Sequence, residues 1–271
     1  MRFDWARIID RAESLCRIVA PHETKGRPLY VLRQSKLKGA VRESVCGPAG
    51  FTSPGLSLLA RKALGKRFKG PGVAMVLCDR VLESQIQEAA AGRRIAANKL
   101  AAVLEQTALT IAIHELAHAL LVDNAAPAPL PSEAAAYWKQ VPTWFRVAPE
   151  GGRLPHPTLD NYVSHAAHGF GRAALHLAHR AKAAGQEMLV PMLFSNNSCF
   201  VPFKDLSAAL GDEPARMRGE PIAQIMKEPA PATFAALATA EIDSYLALLK
   251  DGKGAVEAEH HNAQRPLSKE N

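Results

Sequence analysis

The chain has 271 residues, 48% of them hydrophobic, and carries a formal net charge of +7. This length and composition exclude a disordered chain and predict a globular protein that buries a substantial core. The first residues lack the apolar core and cleavage site of a signal peptide, and no run approaches the roughly 20 apolar residues of a membrane span, so we expect a soluble cytoplasmic protein without membrane contact.

The first third of the chain predicts a long helix, two strands and a short helix. Residues 3–20 place apolar side chains at helical spacing and should form an amphipathic helix that ends before Pro21. "PLYVLRQ" at 28–34 predicts a strand, and "PGLSLLARKAL" at 54–64 predicts a short helix. The apolar run "VAMVLCDR" at 73–80 predicts a second strand at the edge of the sheet, where an extended peptide could add by backbone hydrogen bonds.

Longer helices dominate the sequence that follows. Residues 81–122 contain no proline and have only one obvious break, Gly92, so we expect one or two long helices there. Helical spacing resumes in "HAAHGFGRAALHLAHRAKAAG" at 165–185. The predicted fold class is therefore α/β (α+β), helix-rich with a small sheet. We expect residues 1–250 to form a single domain and residues 251–271 a disordered polar tail.

The cysteines and the basic residues exclude some functions. The four cysteines are scattered and form no CxxC pair, which indicates reduced, buried thiols rather than disulfides or a zinc ribbon. The densest basic run, "RKALGKRFKG" at 61–70, matches no nucleic-acid motif. We interpret it as a solvated basic face, and docking on nucleic acid stays an alternative.

The candidate chemistry lies in "IAIHELAHALL" at 111–121, within the predicted long helix. His114 and His118 are one helical turn apart, so both can place a ring nitrogen about 2.0 to 2.1 Å from a single Zn²⁺. Glu115 points to the cleft side, where it can accept a proton from a zinc-activated water without binding the same ion. The spacing predicts a hydrolytic metal centre rather than a structural pair of helix histidines.

The segment "HELAHALL" resembles the active helix of the zincin metallopeptidases. The resemblance implies a zincin-like domain in which His114 and His118 hold zinc at a cleft. It also implies a peptidase that hydrolyses peptide bonds with Glu115 as general base, and a third zinc ligand supplied from elsewhere in the chain.

Two downstream segments offer that third ligand. "HGFGRAALHLAHR" resembles the segment of SprT-like proteases in which a histidine ligand opens a helix, which implies His168. His165 lies one turn earlier and could reach the same point. "SEAAAYWKQVP" resembles the short helix that supplies an acidic ligand in ImmA/IrrE-type peptidases, which implies Glu133. We predict His168 and keep His165 and Glu133 as alternatives.

The other polar residues of 165–185 are given supporting roles. Their offsets place Arg172, His176 and His179 on one helical stripe with His168. Because a catalytic zinc site takes three protein ligands and keeps one position open, only one residue of this stripe can bind the ion. We expect His176 and His179 at the surface or behind the ligands, and Arg172 in an ordinary salt bridge.

The sequence as a whole predicts a zinc-dependent metallopeptidase with Zn²⁺ as cofactor and a protein or peptide as substrate. The alternative is a non-catalytic zinc-containing binding protein that docks on nucleic acid through its basic face. An open zinc position is expected of a peptidase, whereas a fourth protein ligand closes a structural site.

Overall fold

The computed structural model describes residues 3–39, 49–52, 55–92, 96–122, 167–189 and 203–240, without the side chains of residues 97, 122, 167, 168 and 203. The chain divides into two compact units. The first comprises Met1–Ala125, Ala173–Leu193 and Pro214–Glu228, and the second comprises Ala126–Arg172, Phe194–Glu213 and Pro229–Asn271. The tail predicted at 251–271 lies outside the described residues.

Helices make up most of the described chain. They lie, in order, at Trp5–Val19 (α1), Pro21–Thr24 (α2), Leu56–Leu59 (α3), Arg61–Leu64 (α4), Asp79–Ala91 (α5), Leu100–Val122 (α6), Arg172–Ala183 (α7), Phe203–Leu210 (α8), Glu213–Arg216 (α9), Ile222–Ile225 (α10) and 232–240 (α11). Single 3₁₀ turns lie at Gln34–Lys36, Gly65–Arg67 and Ala97–Lys99, and a π-helical turn lies at Ala167–Gly171. With the small sheet of the first unit, they make the predicted helix-rich α+β structure.

A three-stranded mixed sheet lies in the first unit. Its strands are β1 (Leu29–Arg33), β2 (Gly50–Thr52) and β3 (Val73–Leu77), in the order β1-β3-β2. β1 runs parallel to β3, and β2 runs antiparallel to it with Gly50 opposite Leu77. The two predicted strands are thus confirmed.

The predicted edge position of the 73–80 strand is wrong. β3 is the central strand, so its backbone groups on both sides are paired with β1 and β2. Its last four residues are all buried, as a strand covered on both faces requires, which accounts for a continuous apolar run rather than an alternating one. The strands at the edges of the described sheet are β1 and β2.

The predicted N-terminal helix is confirmed as α1. Asp4 caps its start, where the backbone N–H of Arg7 donates to Oδ1 of Asp4 at 3.1 Å. The predicted apolar face is buried throughout: Trp5, Ile8, Ile9, Ala12, Leu15, Cys16 and Val19. Reduced, buried thiols are confirmed for Cys16 and Cys78, and the other two cysteines lie outside the described residues.

The helical stretch predicted at 81–122 forms two helices, α5 and α6. They are separated just after Gly92, the expected break. By length and composition α6 passes as a candidate membrane span over Leu100–Leu121, but 72% of an apolar 18-residue window within this span is buried inside the protein. A buried core helix passes the same test, and a helix that is apolar on all sides is the kind that a core encloses.

A buried carboxylate ties β1 to the start of α5. Asp79 accepts hydrogen bonds from Nε and Nη2 of Arg33 at 2.9 and 2.7 Å and from the backbone N–H of Ser35 at 3.0 Å. Burial opposes ionisation of Asp79, but the hydrogen bonds from Ser35 and the ion pair with Arg33 outweigh it and lower the pKa of the carboxyl. Arg33 also stacks over the ring of Trp5 at 5.2 Å, which connects α1 to the same cluster.

Replacing this carboxylate should make the protein less stable in a pH-dependent way. Asp79→Asn removes a charge that pairs with a partly buried guanidinium, so we expect the free energy of unfolding to fall by about 2 to 3 kcal/mol near neutral pH. Because the folded pKa of Asp79 is lowered, its stabilising contribution is present above the unfolded pKa of about 3.9 and is lost as pH falls through the folded value. Urea unfolding should therefore show a gap between variant and wild type at pH 6 that narrows below about pH 4.

Asp10→Asn is the matched control, since Asp10 is an exposed aspartate on α1. It should change stability by less than about 0.5 kcal/mol at either pH. A gap for Asp79→Asn that stayed constant with pH would contradict the account of this cluster.

Candidate metal centre

α6, the helix that carries His114, Glu115 and His118, is held by contacts with α1 and with Leu189. Glu105 near its start is buried and accepts hydrogen bonds from Arg7 and Arg11 of α1. One turn and a half further on, the hydroxyl of Thr110 accepts a hydrogen bond from the backbone N–H of Leu189 at 3.0 Å. These contacts hold the N-terminal half of α6 in place. The motif lies in the C-terminal half.

A neutral thiol lies beside the motif. Sγ of Cys16 on α1 is 4.0 Å from the carbonyl oxygen of Ala112, and burial raises the pKa of the thiol to about 12. A thiol with so high a pKa stays protonated and does not act as a thiolate ligand. Cys16 therefore serves the packing of α1 against α6.

The motif lies where α6 emerges from the core. His114 and Glu115 are buried, each with 6% of its surface exposed, whereas His118 is half-buried. The predicted apolar neighbours are all buried, which confirms the apolar face beside the histidines: Ile113, Leu116, Ala117 and Leu120. The polar groups thus stand at the boundary between a dry core and an accessible surface.

The two histidine rings converge. Nε2 of His114 and Nε2 of His118 are 3.1 Å apart, with ring centroids 4.8 Å apart and ring planes at 70°. Two nitrogens on one tetrahedral Zn²⁺ at 2.0 to 2.1 Å are separated by about 3.3 Å, so this pair fits two zinc ligands with a shift of a few tenths of an ångström. The same separation suits an N–H···N hydrogen bond when one ring carries the shared proton, so metal binding would replace that proton.

Glu115 is a buried carboxyl held close to the sheet. Burial raises its pKa to about 8, and its carboxylate has no hydrogen bond or ion pair with any residue in the described ranges. The backbone of Gly50 at the start of β2 lies directly against it: a Cβ added to Gly50 would be 2.7 Å from Oε1 of Glu115 and 2.5 Å from Cγ2 of Ile111. β2 and the motif therefore pack with no room for a side chain at Gly50.

The side chains predicted as alternatives for the third zinc ligand lie outside the described part of the structure. His168 lies in the π-helical turn, but its side chain is outside the described part of the structure, and His165 and Glu133 lie outside it entirely. Within the described ranges, no group of three or more His, Cys, Asp or Glu side chains is arranged to hold a metal. The described donors thus comprise the two imidazoles of α6, which fit zinc in type, spacing and partial burial.

The predicted histidine stripe is only partly correct. His179 is half-buried, and burial together with the nearby cation of Arg218 lowers its pKa. His176, for which a surface position was one expectation, is fully buried. The π-helical turn before α7 interrupts the period of 3.6 residues on which the stripe was based, and the first two turns of α7 are buried on all sides.

Arg172 forms the expected salt bridge. Its Nε and Nη2 donate to Oε1 and Oε2 of Glu213 at 2.9 and 3.0 Å, and Nη2 lies 3.4 Å from the carbonyl oxygen of Pro229. All three residues belong to the second unit. A buried guanidinium bound at both carboxylate oxygens has a structural role and is not an anchor for a reacting oxygen.

Comparison of the chain with protein-family models, with curated proteins and with solved structures found no match. The geometry of α6 and the resemblance of its motif to the zincin active helix are therefore the grounds for a functional proposal. Sequence reasoning overlooked one member of the site, Gly50. The signal in the sequence is a glycine directly before Phe51. A glycine within a strand is typical of a close backbone approach but does not say to what.

Adding a methyl group at Gly50 should destabilise the packing of β2 against α6. Gly50→Ala forces Glu115 or Ile111 to move, so we expect the free energy of unfolding to fall by about 1 to 3 kcal/mol, the usual effect of overpacking. Gly219→Ala is the control, because a Cβ there meets nothing within 4 Å. Urea unfolding of both variants measures the difference, and equal stabilities would contradict the close contact between β2 and α6.

Proposed function

We propose that the chain is a zinc-dependent metallopeptidase of the zincin type. The observation that carries the proposal is the convergence of His114 and His118, whose Nε2 atoms are 3.1 Å apart beside the buried carboxyl of Glu115. Two imidazoles one turn apart with a carboxyl between them suit a hydrolytic metal centre, whereas a purely structural pair needs no buried acid next to it.

His114 and His118 would hold the ion together with one further protein ligand. His168 is the proposed third ligand, and His165 and Glu133 are the alternatives. Zinc supplies Lewis acidity when bound, which polarises a carbonyl group and acidifies water. The burial of His114 and the half-burial of His118 keep one side of the site dry and leave the other accessible to substrate.

Glu115 is the proposed general base. Adjacent residues of a helix are rotated by about 100°, so Glu115 flanks the site without lying on the same line as the two histidines. Its carboxyl group is not engaged by any described residue and is therefore available to accept a proton from water and return it to the leaving amine. Gly50 limits the space on one side of the carboxyl and fixes its direction.

β2 is the proposed platform for an extended substrate. Among the described strands it pairs with β3 alone, and its first residue touches Glu115. A peptide that paired with the other edge of β2 would pass beside Glu115, and backbone hydrogen bonds would position it with little dependence on side chains. This role replaces the one predicted for β3, whose two edges are occupied.

The first test concerns the metal. Removal of either imidazole takes one of the converging donors, so His114→Ala and His118→Ala should each abolish stoichiometric zinc after dialysis, against about one equivalent in the wild type. Elemental analysis gives the content directly. Full zinc content in both variants would show that these histidines do not hold the metal.

The third ligand can be ranked by zinc affinity. Competition against a chromophoric chelator should show the largest loss for His168→Ala among the single variants of His168, His165 and Glu133, because a site reduced to two ligands loses a bond and its tetrahedral geometry. His179→Ala is the control on α7. The largest loss in Glu133→Ala would replace the histidine with an acidic ligand.

A separate test concerns the general base, Glu115. Glu115→Gln keeps the size of the side chain and removes its basicity, so peptide hydrolysis should fall by roughly 10²-fold or more while zinc content stays near one equivalent. Initial rates on a casein-type substrate, measured beside elemental analysis, distinguish the two effects. Wild-type activity in this variant would exclude Glu115 as the base, and a wild-type protein with zinc but no hydrolysis would favour the non-catalytic binding protein.

A further inference from the structure

A basic cleft lies in the first unit, at the N-terminal end of β1. Its volume is about 620 Å³, within the range of roughly 300 to 1,000 Å³ typical of small-molecule sites. Four cationic side chains line it, Arg17, Arg27, Arg67 and Lys69, with Glu13 as the single carboxylate among its lining residues. Four exposed cations against one carboxylate give this open cleft a formal net charge of 4 − 1 = +3.

The cleft brings together residues from three separate parts of the chain. Arg17 comes from α1, Arg27 from the turn after α2, and Arg67 and Lys69 from the basic run at 61–70. This run contains no nucleic-acid motif, so its sequence alone predicts a solvated basic face. Its last residues instead form one wall of a cleft whose other wall is supplied by residues about 40 to 50 positions earlier.

The outer edge of β1 orients two of the guanidinium groups. Nη2 of Arg17 lies 3.4 Å from the carbonyl oxygen of Leu29, and Nη2 of Arg67 lies 3.4 Å from that of Val31. Glu13 accepts a hydrogen bond from the backbone N–H of Val31 at 2.8 Å and pairs with Arg67. A guanidinium has five N–H donors, so these contacts direct the groups and leave donors for a ligand.

The hydroxyl of Tyr30 fixes the segment that carries Lys69. It accepts a hydrogen bond from the backbone N–H of Lys69 at 2.8 Å and donates to the carbonyl oxygen of Gly70 at 2.9 Å. The ring of Tyr30 is buried and stacks on Phe68 with centroids 6.1 Å apart. The backbone of Lys69 is therefore held in place while its side chain stays exposed at the cleft.

We propose that this cleft binds a small molecule that carries a chain of phosphate groups, of the size of a nucleoside diphosphate or triphosphate. Arginine forks match phosphate oxygens in geometry, and several cations in one cleft favour a multiply charged anion over a single carboxylate. The volume of the cleft suits one such molecule. The site is independent of the metal centre: the cleft lies by Leu29 opposite Val73, whereas Gly50 and Glu115 lie at the other end of β3, by Leu77.

Calorimetric titration of the full chain with inorganic triphosphate, at about 0.15 M salt to screen diffuse attraction, tests the proposal. We expect saturable binding of one equivalent. Arg17→Gln and Lys69→Gln should each weaken it about tenfold, because each removes a charge-assisted contact. Thermal unfolding of the same samples establishes that the variants are folded.

Lys66→Gln is the matched control. Lys66 belongs to the same basic run and is exposed, but it does not line the cleft. It removes the same charge and should change the affinity less than about twofold, as expected of a screened surface charge. Equal weakening by Lys66→Gln, absence of saturable binding, or binding that is insensitive to Arg17→Gln and Lys69→Gln would each overturn the proposal.

A second probe distinguishes the source of the phosphate. A single-stranded oligonucleotide of 20 bases should bind no more tightly than triphosphate, because the cleft holds one compact anion. Tighter binding of the oligonucleotide, weakened equally by all three variants, would overturn the small-molecule site in favour of an extended nucleic-acid surface.

Discussion

The burial of polar groups in α6 is the constraint on which the rest of the structure depends. His114 and Glu115 are each only 6% exposed, on a helix whose buried side chains are mostly apolar. A buried polar group without a partner costs roughly 2 to 7 kcal/mol, so such a motif persists only if something compensates for it. The two imidazoles face one another with their Nε2 atoms 3.1 Å apart, whereas Glu115 has no hydrogen-bond partner among the described residues. The charge of a metal ion bound by both imidazoles would stabilise the ionised form of Glu115.

The fold of the first unit provides the rigidity that this arrangement needs. α1 packs along α6 through Cys16 and Ala112, and Glu105 attaches the two helices by ion pairs. On the other side, β2 touches Glu115 through the bare backbone of Gly50. Asp79 fixes the start of α5 to β1, and so sets the sheet against which α6 lies. Each contact restricts where the motif can move, and this restriction keeps the two ring nitrogens together.

Local patterns in the sequence predicted the elements, and non-local contacts decided the site. The face of α1 and the length of α6 follow from periodicity and from the absence of proline, which act within one helix. The strand at Val73–Leu77 was recognisable, but its central position was not, because strand order depends on pairing across the chain. The contact of Gly50 with Glu115 and the meeting of Arg17 with Lys69 are equally non-local. The π-helical turn before α7 adds nearly one residue to a turn, so the side chains of α7 lie on a different face, relative to the residues before the turn, from the one that a period of 3.6 residues predicts.

Zinc K-edge X-ray absorption of the zinc-loaded full chain tests the central claim most directly. The account predicts a first shell of nitrogen and oxygen at about 2.0 to 2.1 Å, with outer-shell scattering from at least two imidazole rings. His114 and His118 would account for both rings. A first shell dominated by sulfur at about 2.3 Å, or outer-shell scattering from fewer than two rings, would contradict the convergence of these two histidines on one ion.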